Sequence, residues 1–188
     1  MSYYTSAVAS SQPKSWIRDI CLVGIATLLI VVAGRIAIPL PFTPIPLAIQ
    51  GHVCLLIGAL LAPRLSLISV GLFLLLGSLD APVFSEGKAG FAMLLGPRGG
   101  YLIGYLMATW ITGYLIQKKQ LSSPRLKTLA MGVGNLAIYE CGLPQLALFV
   151  GVEKVFLLGM LPFLAGDLLK LFMAYYLMKG VGTPRVID

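Results

Sequence analysis

The sequence predicts an all-α membrane protein of six transmembrane helices with both termini in the cytoplasm. Three observations carry this. Of 188 residues, 58% are hydrophobic and 11% charged, with a mean hydropathy of +0.92, whereas about a quarter of a water-soluble domain is charged. Residues 20–34, 36–63, 65–79 and 99–117 contain no Asp, Glu, Lys or Arg, and 128–139, 141–152 and 155–166 are further such runs; roughly 20 apolar residues in a helix match the hydrocarbon thickness of a bilayer. Finally, the cations sort by side. Lys14, Arg18, Arg64, Lys118, Lys119, Arg125, Lys127, Lys179 and Arg185 fall on one side of the expected spans, and Lys88, Arg98 and Lys154 on the other. The side richer in Lys and Arg is cytoplasmic.

The expected spans are 17–38, 46–62, 65–80, 99–117, 126–142 and 155–178. The first opens after Lys14 and Arg18 with Trp16 as an interfacial anchor, and it ends where Pro39, Pro41, Pro44 and Pro46 forbid continuous helix. The second stops at Ala62-Pro63-Arg64 and the third follows at once, which predicts a tight antiparallel hairpin. The fourth runs from Gly99-Gly100-Tyr101 to Gln117-Lys118-Lys119-Gln120. The fifth contains Asn135, Tyr139 and Glu140, and the sixth follows Lys154. This gives one membrane domain, 17–178, between an N-terminal tail, 1–16, and a C-terminal tail, 179–188.

Other classes are excluded by pattern. The runs are apolar on every face, unlike the alternating strands of a membrane barrel. A secretory signal would be followed by a polar mature chain, but here the apolar stretches continue to the C-terminus. Cys21, Cys54 and Cys141 lie apart and suggest neither a disulfide framework nor a metal site. The net charge of +7 follows membrane orientation rather than a nucleic-acid surface, and no phosphate loop of an ATPase is present. One histidine, His52, is thin support for intramembrane enzyme chemistry, which needs a base or metal set. No cofactor and no metal are expected.

The sixth span carries the strongest chemical signal. In Leu161-Pro162-Phe163-Leu164-Ala165-Gly166-Asp167-Leu168-Leu169-Lys170 an acid and a base lie three apart, on one helix face, amid apolar residues. Charges so placed face a cavity or a partner; the plain alternative is that they neutralise each other at a helix start. Two connectors are also unusual: the proline-rich 39–50, expected to be extended, and 80–100, rich in glycine and bulky apolar residues, a plausible lid or an interfacial connector. The weaker candidates are Gln50, Asn135, Tyr139, Glu140, His52 and Arg98. The Gly100-x-x-x-Gly104 pattern permits close helix contact.

Several stretches in this order resemble the BioY family of biotin transporters, the substrate-capturing S components of energy-coupling-factor (ECF) transporters. They are Ile38-Pro-Leu-Pro-Phe-Thr-Pro-Ile-Pro46 with Gln50, Leu74-Leu-Leu-Gly77 with Ala81-Pro-Val-Phe-Ser85, Leu95-Gly-Pro-Arg-Gly-Gly-Tyr101, Gly142-Leu-Pro-Gln-Leu-Ala147 and Leu161 to Lys170. The resemblance covers about residues 17 to 178 and implies an ECF S-component-like bundle in the plasma membrane, with biotin near the external face beneath the loops between spans 1–2 and 3–4. It implies Asp167 for the ureido N–H groups and Lys170 for the carboxylate, the two roles being interchangeable, with apolar packing on Phe42, Phe84 and Tyr101. The full set of candidate ligand residues is Asp167, Lys170, Asp80, Gln50, Phe42, Phe84, Arg98, Tyr101 and Tyr139. The partners implied are biotin, the bilayer and an ECF coupling subunit with its ATPases; action alone and a homo-oligomer stay open. S components dock through small residues four apart in the first helix, and Ala33-x-x-x-Ala37 has that spacing toward the expected external end. Family members often carry Thr in place of Arg98, a Gly-rich loop in place of Ser85-Glu-Gly-Lys88, and Thr in place of Gly51-His52.

Overall fold

Prolines and isolated charges fix where the helices stop, and buried small residues fix how they pack. A computed structural model describes residues 16–180; the tails expected at 1–16 and 179–188, with Lys14 and Arg185, lie almost wholly outside these. Helix α1 (Trp16–Arg35) has Asp19 in its first turn and Arg35 in its last, each favourable to the helix dipole. It ends three residues earlier than expected, because Ala37–Ile38 (β1) turns aside to pair antiparallel with Leu47–Ala48 (β2). The proline segment is thus the tip of a small hairpin rather than a free extended chain.

Helix α2 (Gln50–Leu60) has only 11 residues, and eight of them are buried. Helix α3 (Pro63–Ser78) starts with Pro at its first position, where the missing N–H costs nothing. The 79–98 connector contains a 3-10 turn, Ser85–Gly87, and the single-turn helix α4 (Ala92–Leu95). Helix α5 (Gly99–Lys118) packs on α6 (Pro124–Val150). Gly104 allows their backbones to meet: a β-carbon there would lie 2.9 Å from the Ile138 Cα. Helix α6 runs eight residues past the expected end and carries Pro144 inside it. The last expected span divides into α7 (Val152–Gly159) and α8 (Leu161–Gly180), broken at Met160. Among the described residues, three stretches are long and apolar enough to cross a membrane: Trp16–Arg35, Pro124–Val150 and Val152–Gly180.

Two apolar cores result. One joins α2, α5, α6, α7 and α8 through Leu55, Ala108, Met131, Ile138, Val155 and Phe163. The other joins α1, α2 and α3 to the 79–98 connector through Ile30, Cys54, Phe73 and Phe84. Ala33 is 7% exposed and faces inward, while Ala37 lies in β1, so this pair does not form an outward helix stripe.

Gln50 locks the second core to its connector. It is fully buried; its amide donates to the carbonyls of Ile30 (3.1 Å) and Val83 (3.2 Å), and its oxygen accepts from the Ser85 hydroxyl (3.0 Å). Gly34 makes room, since a side chain there would collide with the Gln50 amide. Replacing Gln50 with Leu strands three buried partners, each worth about 1 kcal/mol net. Gln50→Leu is therefore expected to destabilise the protein by about 2–3 kcal/mol, read as a lower unfolding midpoint in detergent; an unchanged midpoint would remove this clasp from the account.

Candidate functional site

The hairpin, the 79–98 connector and helices α2, α5, α6 and α8 line a pocket that is partly open to solvent. A concave, largely apolar pocket with a few convergent polar groups is the usual form of a small-molecule site. Its walls are mostly apolar, with Ile45, Phe84, Tyr101, Leu102, Ile138 and Phe163 among them.

Asp167, on α8, is the polar centre, with the residue 8% exposed. Its Oδ2 accepts from the Asn135 amide at 2.9 Å and from the Tyr139 hydroxyl. Asn135 and Tyr139 lie four apart on α6 and so share a face. Its Oδ1 faces the Lys170 ammonium at 3.5 Å and the His52 Nε2 at 3.8 Å. Lys170 also donates to the carbonyl of Ala48 in β2, at 3.0 Å. A carboxylate offers about four lone-pair sites; Oδ2 uses two and Oδ1 one, which leaves Oδ1 spare acceptor capacity on a residue that lines the cavity.

Six expected residues line the cavity: Asp167, Lys170, Phe84, Arg98, Tyr101 and Tyr139. Three stand elsewhere. Gln50 spends its polar atoms on the clasp, Phe42 is 56% exposed on the hairpin turn, and Asp80 is exposed after α3 with φ of 64°. Sequence reasoning weighed His52 and Asn135 lightly and named Ser85 only within loop motifs, yet all three line the cavity together with Tyr105 and Phe163. Glu140 is exposed on the outside of α6. Lys170 and Asp167 stand 3.5 Å apart at one place in the cavity wall.

Arg98 ties the roof together. Its Nε donates to the Pro44 carbonyl at 2.7 Å and its Nη1 to Glu86 at 2.9 Å, while Lys88 meets the same Glu86 oxygen at 2.8 Å. Two of the five guanidinium donors are engaged, and the rest remain available at the cavity wall. The hydrogen bond from Lys88, opposed by partial burial and reinforced by Arg98, holds the Glu86 carboxyl below its ordinary value of 4.5. Further clamps reach the same loops: Arg35 to the Pro82 carbonyl (2.7 Å), Thr43 to the Leu158 carbonyl (2.8 Å), and Gln145 to the carbonyls of Leu94 and Gly96 (2.8 Å each). The Tyr101 hydroxyl is spent on the Gly159 carbonyl at 2.8 Å, so its ring, edge-on to Tyr139, is what it offers the cavity.

Residues 5–185 match the family model described as BioY family. The chain belongs to the BioY family. Similar BioY proteins include the "Probable biotin transporter BioY" of Pyrococcus horikoshii, 36% identical over 81% of this chain and 89% of that one. The "Biotin transporter BioY" of Thermotoga maritima is 35% identical over 84% and 91%. Among solved structures, the fold is similar to the S-component for biotin from an ECF-type ABC transporter, with a TM-score of 0.81 and 26% identity, covering 88% of this chain and 91% of that one.

In this BioY chain the Glu86 latch has a defined acid limit. A carboxyl with a lowered value in the folded protein stabilises it fully above the ordinary glutamate value, and the effect fades as pH falls through the lowered value. Unfolding midpoints measured against pH should therefore drop more steeply in acid for the unaltered chain than for Glu86→Gln. Parallel curves below pH 4.5 would dismiss the latch.

Proposed function

We propose that this chain is the substrate-capturing component of a biotin uptake system: it takes biotin from outside into the cavity and delivers it to the cytoplasm, alone or with an ECF coupling subunit and its ATPases. The observation that carries this reading is the paired acid and base at the floor of an apolar cavity, in a chain of the BioY family. Biotin is a ureido bicycle with two N–H donors and a carbonyl, joined by a hydrocarbon tail to a carboxylate. Its bicycle and tail suit walls of Phe84, Tyr101, Ile138 and Phe163. The free lone pair of Asp167 Oδ1 takes a ureido N–H, and Lys170, beside it, serves the carbonyl. The carboxylate, at the other end of an extended molecule, goes to the unspent donors of Arg98 under the roof. Nothing in this scheme makes or breaks a covalent bond in the ligand.

The membrane topology proposed has six crossings, α1, α2, α3, α5, α6 and α8, with both termini cytoplasmic in a multi-pass plasma-membrane protein. The uneven distribution of Lys and Arg supports it. At 11 residues α2 spans about 16 Å at 1.5 Å per residue, short of a bilayer; because it is buried among other helices, non-helical backbone can complete the crossing without meeting lipid. The roof of hairpin and connector then faces outward.

Titrating the purified chain with biotin and a panel of other carboxylate vitamins tests the reading, with saturable binding of biotin alone expected. Asp167→Asn should weaken biotin by one to two orders of magnitude, since a charged hydrogen bond is worth about 1.5–3 kcal/mol. Arg98→Ala should weaken biotin far more than an uncharged biotin amide. Equal losses for acid and amide would take the carboxylate away from Arg98.

A further inference from the structure

One polar group at the cavity is left over. The His52 side chain is 8% exposed, lines the cavity, and its Nε2 is buried without a hydrogen-bond partner. Buried polar atoms are almost always paired, so an unpaired nitrogen on a residue that lines a cavity, next to Asp167, points to a partner that arrives with the ligand. The distance of 3.8 Å from Nε2 to Asp167 Oδ1 exceeds a hydrogen bond. It suits two atoms that hold neighbouring groups on one edge of the same small molecule.

We infer that His52 is a specificity-determining ligand contact whose Nε2–H donates to the ureido carbonyl of the bound molecule, alongside Lys170. The inference rests on the biotin reading above and adds to it the residue that recognises the carbonyl. A carbonyl oxygen has two lone pairs, and two donors flank Asp167 Oδ1: the Lys170 ammonium at 3.5 Å and the His52 imidazole at 3.8 Å. With Oδ1 accepting the adjacent ureido N–H, an acceptor stands next to donors, and an N–H next to a carbonyl complements that pairing, whereas a ring of donors alone does not. Lys170 and Asp167 come from α8 and His52 from α2, so the carbonyl is held from both sides of the cavity floor.

The test uses the detergent-purified full chain and three probes: biotin, desthiobiotin, which keeps the ureido ring, and 2-iminobiotin, whose protonated guanidinium offers no acceptor where biotin has its carbonyl. His52→Leu is expected to lower affinity for biotin and desthiobiotin about tenfold, the loss of one buried hydrogen bond, and to leave 2-iminobiotin nearly unaffected. His52→Gln, whose terminal amide N–H reaches the region of Nε2, should restore most of the biotin affinity. This second variant keeps the inference open to refutation if the leucine variant fails to fold. An equal loss for biotin and 2-iminobiotin, unaltered biotin binding in His52→Leu, or a glutamine variant as weak as the leucine one would each overturn the carbonyl contact. Failure of the unaltered chain to bind biotin would instead overturn the functional reading beneath it.

Discussion

The arrangement depends on satisfying one carboxyl side chain inside an apolar bundle. Taking an unpaired charge out of water costs several kcal/mol even after relaxation, about the scale of a domain's whole stability. Asp167 is held by a neighbouring amide and phenol on α6 and by a cation on its own helix. Those partners fix the contact between α6 and α8, and Lys170 carries the network on to the hairpin through the Ala48 carbonyl. The polar cluster therefore sets the rotation of two helices and the seating of a loop at once. It falls one bond short of saturation, on a residue that lines the cavity.

The floor and the roof of the cavity are built by different physics. Side chains from long helices make the floor, where packing holds each group in place. The roof is made of loops with little regular structure, and side chains gripping backbone carbonyls hold it: Arg35 on Pro82, Arg98 on Pro44, Gln145 on Leu94 and Gly96, Thr43 on Leu158. Prolines make this scheme workable, since a segment lacking N–H groups leaves mainly acceptors to satisfy. Buried Gln50 joins the two regimes, bonding α1 to the connector that forms part of the roof.

Much of this was legible in the sequence, and the limits have physical causes. Charge-free runs gave the helical class, and an acid and a base just beyond the last of them, amid apolar residues, gave the cavity floor. The glycines spaced four apart lie on the α5–α6 contact. What failed was direction and length. Gln50 and Phe42 stand in motif-like stretches, but nothing local shows that one faces a connector and the other solvent. Pairing of Ala37–Ile38 with Leu47–Ala48 was hidden by the prolines between them, which read only as a break in helix. Helix α6 continues beyond Cys141 through Pro144 to Val150, although proline loses a hydrogen bond there, because packing against α7 and the 79–98 connector outweighs local propensity. The charged neighbours of His52 lie more than a hundred residues away on α8, so its isolation in sequence concealed its company in space.

Arg98 shows how capture and closure become one equilibrium in the proposed scheme. The same guanidinium that binds the Pro44 carbonyl and Glu86 forms part of the cavity wall. An anionic ligand that engages its remaining donors does so best when the roof is seated, because only then is the guanidinium held in place by both loops. A ligand shifts a conformational equilibrium by its differential affinity for the two states and no further. Carboxylate recognition at the roof therefore favours the closed arrangement, while ureido recognition at the floor, on rigid helices, is available whether the roof is seated or not. A molecule with both groups at the right separation gains from each, and one with only the ring or only the acid closes the site less completely.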